Sequence, residues 1–425
     1  MSNLDTVARI KRMLGGDTDG SNSSQDYSSN TFGLNSDSGS PFDPFSPIAY
    51  SSPAPYEAYL SKSAWGAQTS GFGSANRQSA AAPASASTQT VAVGSTLASG
   101  LAGASLLVSA APMSAASKTA SAQPLDIAPT QTLANGSTLV GASGGLQFDL
   151  VWDPSVASAP AGFKSAAIAA ASYFSNMFSN KEVVNIAVGY GEVGGASMGG
   201  DLSDSYRLGT YESYASVSTA LKKDAGDSSI QAQADSTLPA TDPLGSAKSS
   251  PFGPLPNYYT TYADAKALGL WSAAGTEIDG QIGLSSSLPF SYTEPVAKGT
   301  YDAIGCFEYE ISSIMGRISS EGSLFGSGDH TPFDLFRFDA IGARDKGAGA
   351  SDYFSIDDGK TRLAPFTNQF DPNAWAPPVY ADAFGYQSPG ATDTVSPVDL
   401  AALAVIGYDP TPAGLAATKV LTPLA

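Results

Sequence analysis

The chain has one cysteine, Cys306, and one histidine, His330, among 425 residues. A lone cysteine excludes an intramolecular disulfide and any cysteine-rich metal site. The scarcity of histidine matters more, because zinc sites ordinarily use one to three imidazoles and this chain supplies one at most. Charge is sparse as well. Charged residues make up 14% of the chain, and 39 acidic against 21 basic side chains leave a formal charge of −18. That balance argues against nucleic acid, since nothing here neutralises a row of phosphates, and equally against an anionic membrane surface. No stable membrane span is expected either: the most apolar stretch, Val91 to Ala122, is too rich in alanine and glycine.

What is present falls into two compositional halves. Residues 1–140 are polar and repetitive, as in "DGSNSSQDYSSN" and "SAAAPASASTQT". Such a tract cannot bury enough apolar area to offset its conformational entropy, and it reads as a disordered, low-complexity region. Within it, residues 91–122 resemble the apolar core of a secretory signal, followed by the small residues "ASA" before Gln123, although ninety residues precede it. Residues 141–425 read as a folded domain. "GFKSAAIAAASYFSNMF" places Phe163, Ala167, Ala170, Phe174 and Phe178 at helical spacing. "KEVVNIAVGYG" suits a strand, "TYESYASVSTALKKDA" and "YTTYADAKALGL" suit helices, and "TEIDGQIGLSS" suits a strand at a sheet edge. Alternating helices and strands predict an α/β or α+β domain.

One stretch carries most of the functional signal, "YDAIGCFEYEISSIMGRISS", Tyr301 to Ser320. Wound as a helix, Ile304, Ile311, Met315 and Ile318 form an apolar stripe, with Tyr309, Ser313, Gly316 and Ser320 opposite and Glu310 at the flank. Glu308 falls on another face and reads as solvated, while Cys306 reads as a small buried hydrophobe. Gly316 implies that a neighbour approaches closely or that the helix ends there. Zinc peptidases use HExxH because histidines four apart grip one ion while the glutamate works on the metal-bound water. Metzincins extend this to HExxHxxGxxH. Laid on this chain, the frame falls on Tyr309, Glu310, Ser313, Gly316 and Ser319: glutamate and glycine match, and all three ligand positions hold hydroxyls.

The segments "CFEYEISSIMGR", "TPFDLFRFDAIGARD", "DYFSIDDGKTRLAPFT" and "SPVDLAALAVIGYD", with "VNIAVGYGEVGGASMGG" and "DAKALGLW" upstream, resemble a family of bacterial secreted zincin-like metalloproteases over about Leu146 to Asp409. The family's corresponding helix reads "VAEHEISEVMGR". The resemblance implies a zincin or metzincin-like fold: a twisted sheet, backing helices and an active-site helix, here preceded by the disordered region. It implies a secreted or cell-surface bacterial protein that holds a peptide along the sheet edge. The "VDLAALAVIGYD" segment resembles the C-terminal helix of metzincins. No methionine follows Met315, so the family's Met-turn has no counterpart in this sequence.

The departures bear on chemistry. A neutral phenol at Tyr309 and hydroxyls at Ser313 and Ser319 are poor zinc ligands. No metal is therefore expected at this site, with Tyr309, Ser313 and Gly316 left as cleft residues and Glu310 as a vestigial motif glutamate. His330, in "GSGDHTPFDLF", reads as a structural loop residue rather than a ligand. Oxygen donors in "DGSN", "DDGK" and "FDPNAW" match no calcium-loop spacing. Three functions fit: a secreted pseudopeptidase that keeps a peptide-binding cleft; an active metalloendopeptidase holding zinc in a non-standard site, with Glu310 as general base; or a structural or adhesive surface protein on a serine-alanine stalk.

Overall fold

The computed structural model describes residues 126–421, apart from 225–227, 246–248, 251–252, 255–256, 273–274, 321–328, 346–351, 368–370, 378 and 420. The signal-like segment and the "DGSN" tract lie outside the described residues. The disordered region was expected to reach residue 140, but the folded part starts earlier. Strands β1 (Thr130–Thr132) and β2 (Thr138–Val140) form a hairpin that pairs antiparallel with β3 (Gln147–Trp152). Val140 is fully buried, so the short apolar residues of this hairpin belong to the core despite their polar company.

The domain is mixed α/β. After β3 come helix α1 (Phe163–Met177), β4 (Val183–Tyr190) and β5 (Ser203–Arg207). Then follow β6 (Gly209–Glu212), α2 (Tyr214–Asp224), α3 (Ser229–Asp235), β7 (Tyr258–Thr261), α4 (Tyr262–Ala267) and β8 (Gly280–Leu284). The main sheet has the order β1-β2-β3-β4-β8-β5. Strands β3, β4 and β8 run parallel, with Gln147 opposite Val183 and Gly280 opposite Ile186, while β5 runs antiparallel to β8. The "TEIDGQIGLSS" strand is thus interior, and the edge belongs to Ser203–Arg207. The alternation of Ile282 and Leu284 with glycine looked like a half-exposed strand. In fact the glycines are buried too, because other elements press against both faces: a Cβ on Gly280 would collide with the Ile314 side chain, and one on Gly283 with the Glu192–Val193 turn.

Helix α1 forms where the sequence placed it, its alanines letting it pack closely along helix α5 (Ala303–Ile314). Edge-on contact between Phe163 and Phe307, 5.3 Å between ring centres, fixes the pair. A smaller antiparallel sheet follows, with β9 (Arg337–Ala340) at its centre between β10 (Ala343–Arg344) and β11 (Tyr353–Phe354), and β12 (Ala364–Pro365) outside β11. It encloses a cluster of Phe333, Phe354, Phe366 and Trp375. Helix α6 (Pro397–Ala404) starts from a reciprocal cap in which Ser396 and Asp399 bond each other's backbone N–H. Asp399 also accepts the Trp375 indole N–H at 2.6 Å, tying this helix to the aromatic cluster. Helix α7 (Pro412–Thr418) packs on α6 and is the last described element.

Candidate functional site

Helix α5 begins at Asp302, whose carboxylate accepts the Ile304 N–H at 3.0 Å. It ends sooner than its sequence pattern suggested. Gly316 adopts φ +100°, its N–H bonds the Ser313 carbonyl, and the Arg317 N–H reaches back to the Ser312 carbonyl. This 6→1, 5→2 pair is a Schellman cap, and it turns Ile318, Ser319 and Ser320 off the helix. Both reasons for the glycine hold, since a Cβ there would also lie 2.7 Å from Asp264 Cβ. Two expectations need correction here. Ser313 and Gly316 line no open cleft, being buried, and the Ser313 hydroxyl donates to the Tyr309 carbonyl one turn back. Glu308 is not solvated either: the helix is covered on that side as well, and burial pushes its carboxyl well above the usual range.

Glu310 lies beneath the edge strand. Its Oε1 accepts the Ser203 hydroxyl at 2.7 Å, and the Ser205 hydroxyl bonds it too. Burial, with Asp204 nearby, raises its carboxyl to about 7 against the pull of those hydroxyls and Arg207. It is 4% exposed.

The three hydroxyls at the frame's ligand positions are each engaged elsewhere. Tyr309 Oη donates to Asp371 Oδ2 at 2.6 Å, and burial together with that carboxylate raises its phenol far above the normal range. Asp371 is held in place by the backbone and side-chain N–H groups of Asn373, at 2.9 and 2.7 Å. Asn373 in turn accepts the Ser319 N–H through its side chain and the Arg317 guanidinium through its carbonyl. Arg317, fully buried, lies between the Tyr309 and Phe384 rings at 4.6 and 4.0 Å. Ser319 Oγ donates to Asp334 Oδ1 at 2.5 Å and accepts Arg337 Nη1 at 3.1 Å. Arg337 is paired with Asp345 and Asp352 at 3.1 and 3.0 Å.

His330, expected as a structural loop residue, is enclosed by its neighbours. It is buried, its backbone bonds Asn257 and Tyr259, and its ring packs on Tyr258. The hydrogen bonds place it beside β7, whereas those of Glu310 run to β5. Cys306 is buried with its thiol on Gln387 Oε1 at 2.8 Å, and burial raises its pKa well above normal. In "DDGK", Asp357 is occupied by Ser355 and Thr361, which shapes the turn. Among the described residues, no three His, Cys, Asp or Glu side chains are gathered to hold a metal ion, and no helix is long and apolar enough to cross a membrane.

No family model, curated protein or solved structure matches this chain.

Sequence reasoning missed the partners rather than the frame. Asp371 and Asn373 come from "FDPNAW", where the sequence shows only oxygen donors without a calcium-loop spacing, and they lie 62 and 54 residues from the groups they bond. Asp334 and Arg337 come from "TPFDLFR", whose conspicuous aspartate and arginine were the available signal. Ser203, on the edge strand, carried none.

Proposed function

We propose that this chain is a secreted, metalloprotease-like protein without a catalytic metal, a pseudopeptidase whose remaining role is binding. One observation carries the reading. The hydroxyls that stand at the zinc-ligand positions are engaged in hydrogen bonds, half-buried for Tyr309 with Asp371 and buried for Ser319 with Asp334 and Arg337, while Ser313 bonds the Tyr309 carbonyl, so they are already committed to the fold. The zincin-like arrangement is supported by an antiparallel strand at the edge of an otherwise parallel run, with the Glu310 helix beneath it. The active-enzyme alternative is disfavoured because Glu310 is enclosed and hydrogen-bonded to the strand above it, with no exposed face toward a water.

The binding mode follows from the ladder. Leu208 N–H bonds the Asp279 carbonyl and Ser285 N–H the Leu202 carbonyl, so even-numbered residues of this stretch face β8. The backbones of Ser203, Ser205 and Arg207 therefore face outward. Asp204 caps the Ser205 N–H and the Tyr259 hydroxyl caps the Arg207 carbonyl, which leaves the Ser203 end as the stretch where an extended peptide adds a strand. The test combines peptide binding with casein cleavage, each with and without zinc and a chelator. We expect chelator-insensitive binding and no chelator-sensitive cleavage. Binding should fall in Ser203→Pro, which removes an outward N–H, and persist in Ser203→Ala, which removes only the hydroxyl. Zinc-dependent proteolysis would refute the reading.

A further inference from the structure

Below the end of α5, three groups from distant parts of the chain are buried with no hydrogen-bond partner among the described residues. Asp264, in α4, is fully enclosed and both its carboxyl oxygens are bare. So are both oxygens of Glu182, on the turn into β4, and the phenolic oxygen of Tyr408, just past α6. Their segments meet in one locality: Lys266, two residues along α4 from Asp264, bonds the Val183 carbonyl, Asn180 donates to the Gly407 carbonyl at 2.9 Å and accepts the Asp409 N–H at 2.8 Å, and a Cβ on Gly407 would lie 2.5 Å from the Leu268 side chain. A phenol touching a carboxyl would donate to it. Five buried oxygens are therefore bare where these segments meet, whereas buried polar groups in folded proteins are paired, hydrated or bound to metal.

The local charge is unbalanced. The nearby ammonium, Lys266, is committed to Asp279 at 2.6 Å and to the Val183 carbonyl at 2.5 Å. Glu182, Asp264 and Asp224 have no ion-pair partner among the described residues. Gly316 permits the arrangement, because any larger residue there would displace Asp264.

We propose that Glu182, Asp264 and Tyr408 supply the protein donors of a calcium site. An all-oxygen set containing carboxylates selects a hard cation over zinc. Calcium accepts an irregular shell of six to eight oxygens, so water and backbone carbonyls complete what two carboxyls and a phenol begin; magnesium demands a stricter octahedron. Glu182 also lines a cavity of about 390 Å³ with Lys181, Lys266 and Trp271, at the start of β3 and β4, so one of the three groups lies next to an open pocket. The site lies apart from the zinc-ligand frame and does not depend on the reading of that frame.

The experiment uses the full chain, stripped with chelator and titrated with calcium chloride at pH 7.5, in parallel with magnesium chloride. Binding is read by calorimetry and the thermal midpoint by scanning fluorescence. We expect one saturable calcium equivalent and a midpoint that rises with calcium concentration. Asp264→Asn and Glu182→Gln keep shape and remove charge, and each should weaken calcium by at least the roughly tenfold that even loss of an outer-shell partner brings. Four results would each overturn the proposal: no calcium-dependent midpoint, a calcium response in either variant as strong as the parent's, magnesium binding as tightly as calcium, or stabilisation by acid alone. The last would mean that a shared proton or water satisfies these oxygens.

Discussion

Replacing Tyr309 with phenylalanine isolates the hydroxyl that falls on the first ligand position of the HExxH frame. The ring keeps its place against the Arg317 guanidinium, 4.6 Å away, so packing is conserved. What is lost is one hydrogen bond to a carboxylate, made at 2.6 Å. Such bonds contribute about 1.5–3 kcal/mol. Asp371 retains two bonds from Asn373 and is only half-buried, which places the expected loss at the low end, about 1.5 kcal/mol. Tyr309→Ala also removes the ring from the Arg317 stack and leaves a cavity, for a loss of about 3–5 kcal/mol. Urea unfolding followed by tryptophan fluorescence measures both. A double-mutant cycle with Asp371→Asn should return most of the Tyr309→Phe effect as coupling. If Tyr309→Phe unfolds within about 0.5 kcal/mol of the parent, the hydroxyl is not structural and the argument from these hydrogen bonds fails.

Gly316→Ala should destabilise by about 2–4 kcal/mol in the same assay, combining left-handed strain with the clash on Asp264; a neutral result would mean the Schellman turn is wrong. Glu310→Gln tests pH linkage. Its folded carboxyl titrates near 7 against an ordinary 4.5, so the protonated form stabilises the fold below 4.5 and that contribution is lost as pH rises through 7. The amide cannot ionise. The variant should match the parent near pH 4.5 and exceed it above pH 7 by on the order of 3 kcal/mol, and a pH-independent gap would contradict the assignment. Under the proposed reading, Tyr309→His with Ser313→Glu should create measurable zinc affinity absent from the parent; a metal-free double variant would count against that reading.

Much of the scaffold was legible because local pattern and tertiary environment agree. The alanine-phenylalanine spacing of α1, the β-branched run of β4 and the capped "SPVDL" start of α6 each encode their own element. Legibility failed where burial was decided by distant neighbours. β8 looked like an edge because its alternation of glycine with larger apolar residues imitates a half-exposed strand, yet those glycines are close contacts with α5 and the Glu192 turn. Glu308 looked solvated because the helix pattern cannot show that a second layer covers its polar side. The hairpin at 130–140 was hidden by polar composition. At the site, the frame of Tyr309, Glu310, Ser313, Gly316 and Ser319 could be read directly. The partners that give it meaning, Asp371, Asn373, Asp334 and Arg337, are joined to it only by long-range hydrogen bonds that no local spacing records.

The central claim of the proposed reading is that the hydroxyls of Tyr309, Ser313 and Ser319, at the ligand positions of the HExxHxxGxxH frame, are committed to the protein's own hydrogen bonds. Elemental analysis of the purified full chain, after incubation with zinc and gel filtration, tests it most directly. The account predicts zinc far below one equivalent per chain, unchanged by prior chelator treatment. Zinc retained at one equivalent and removed by chelator would contradict it.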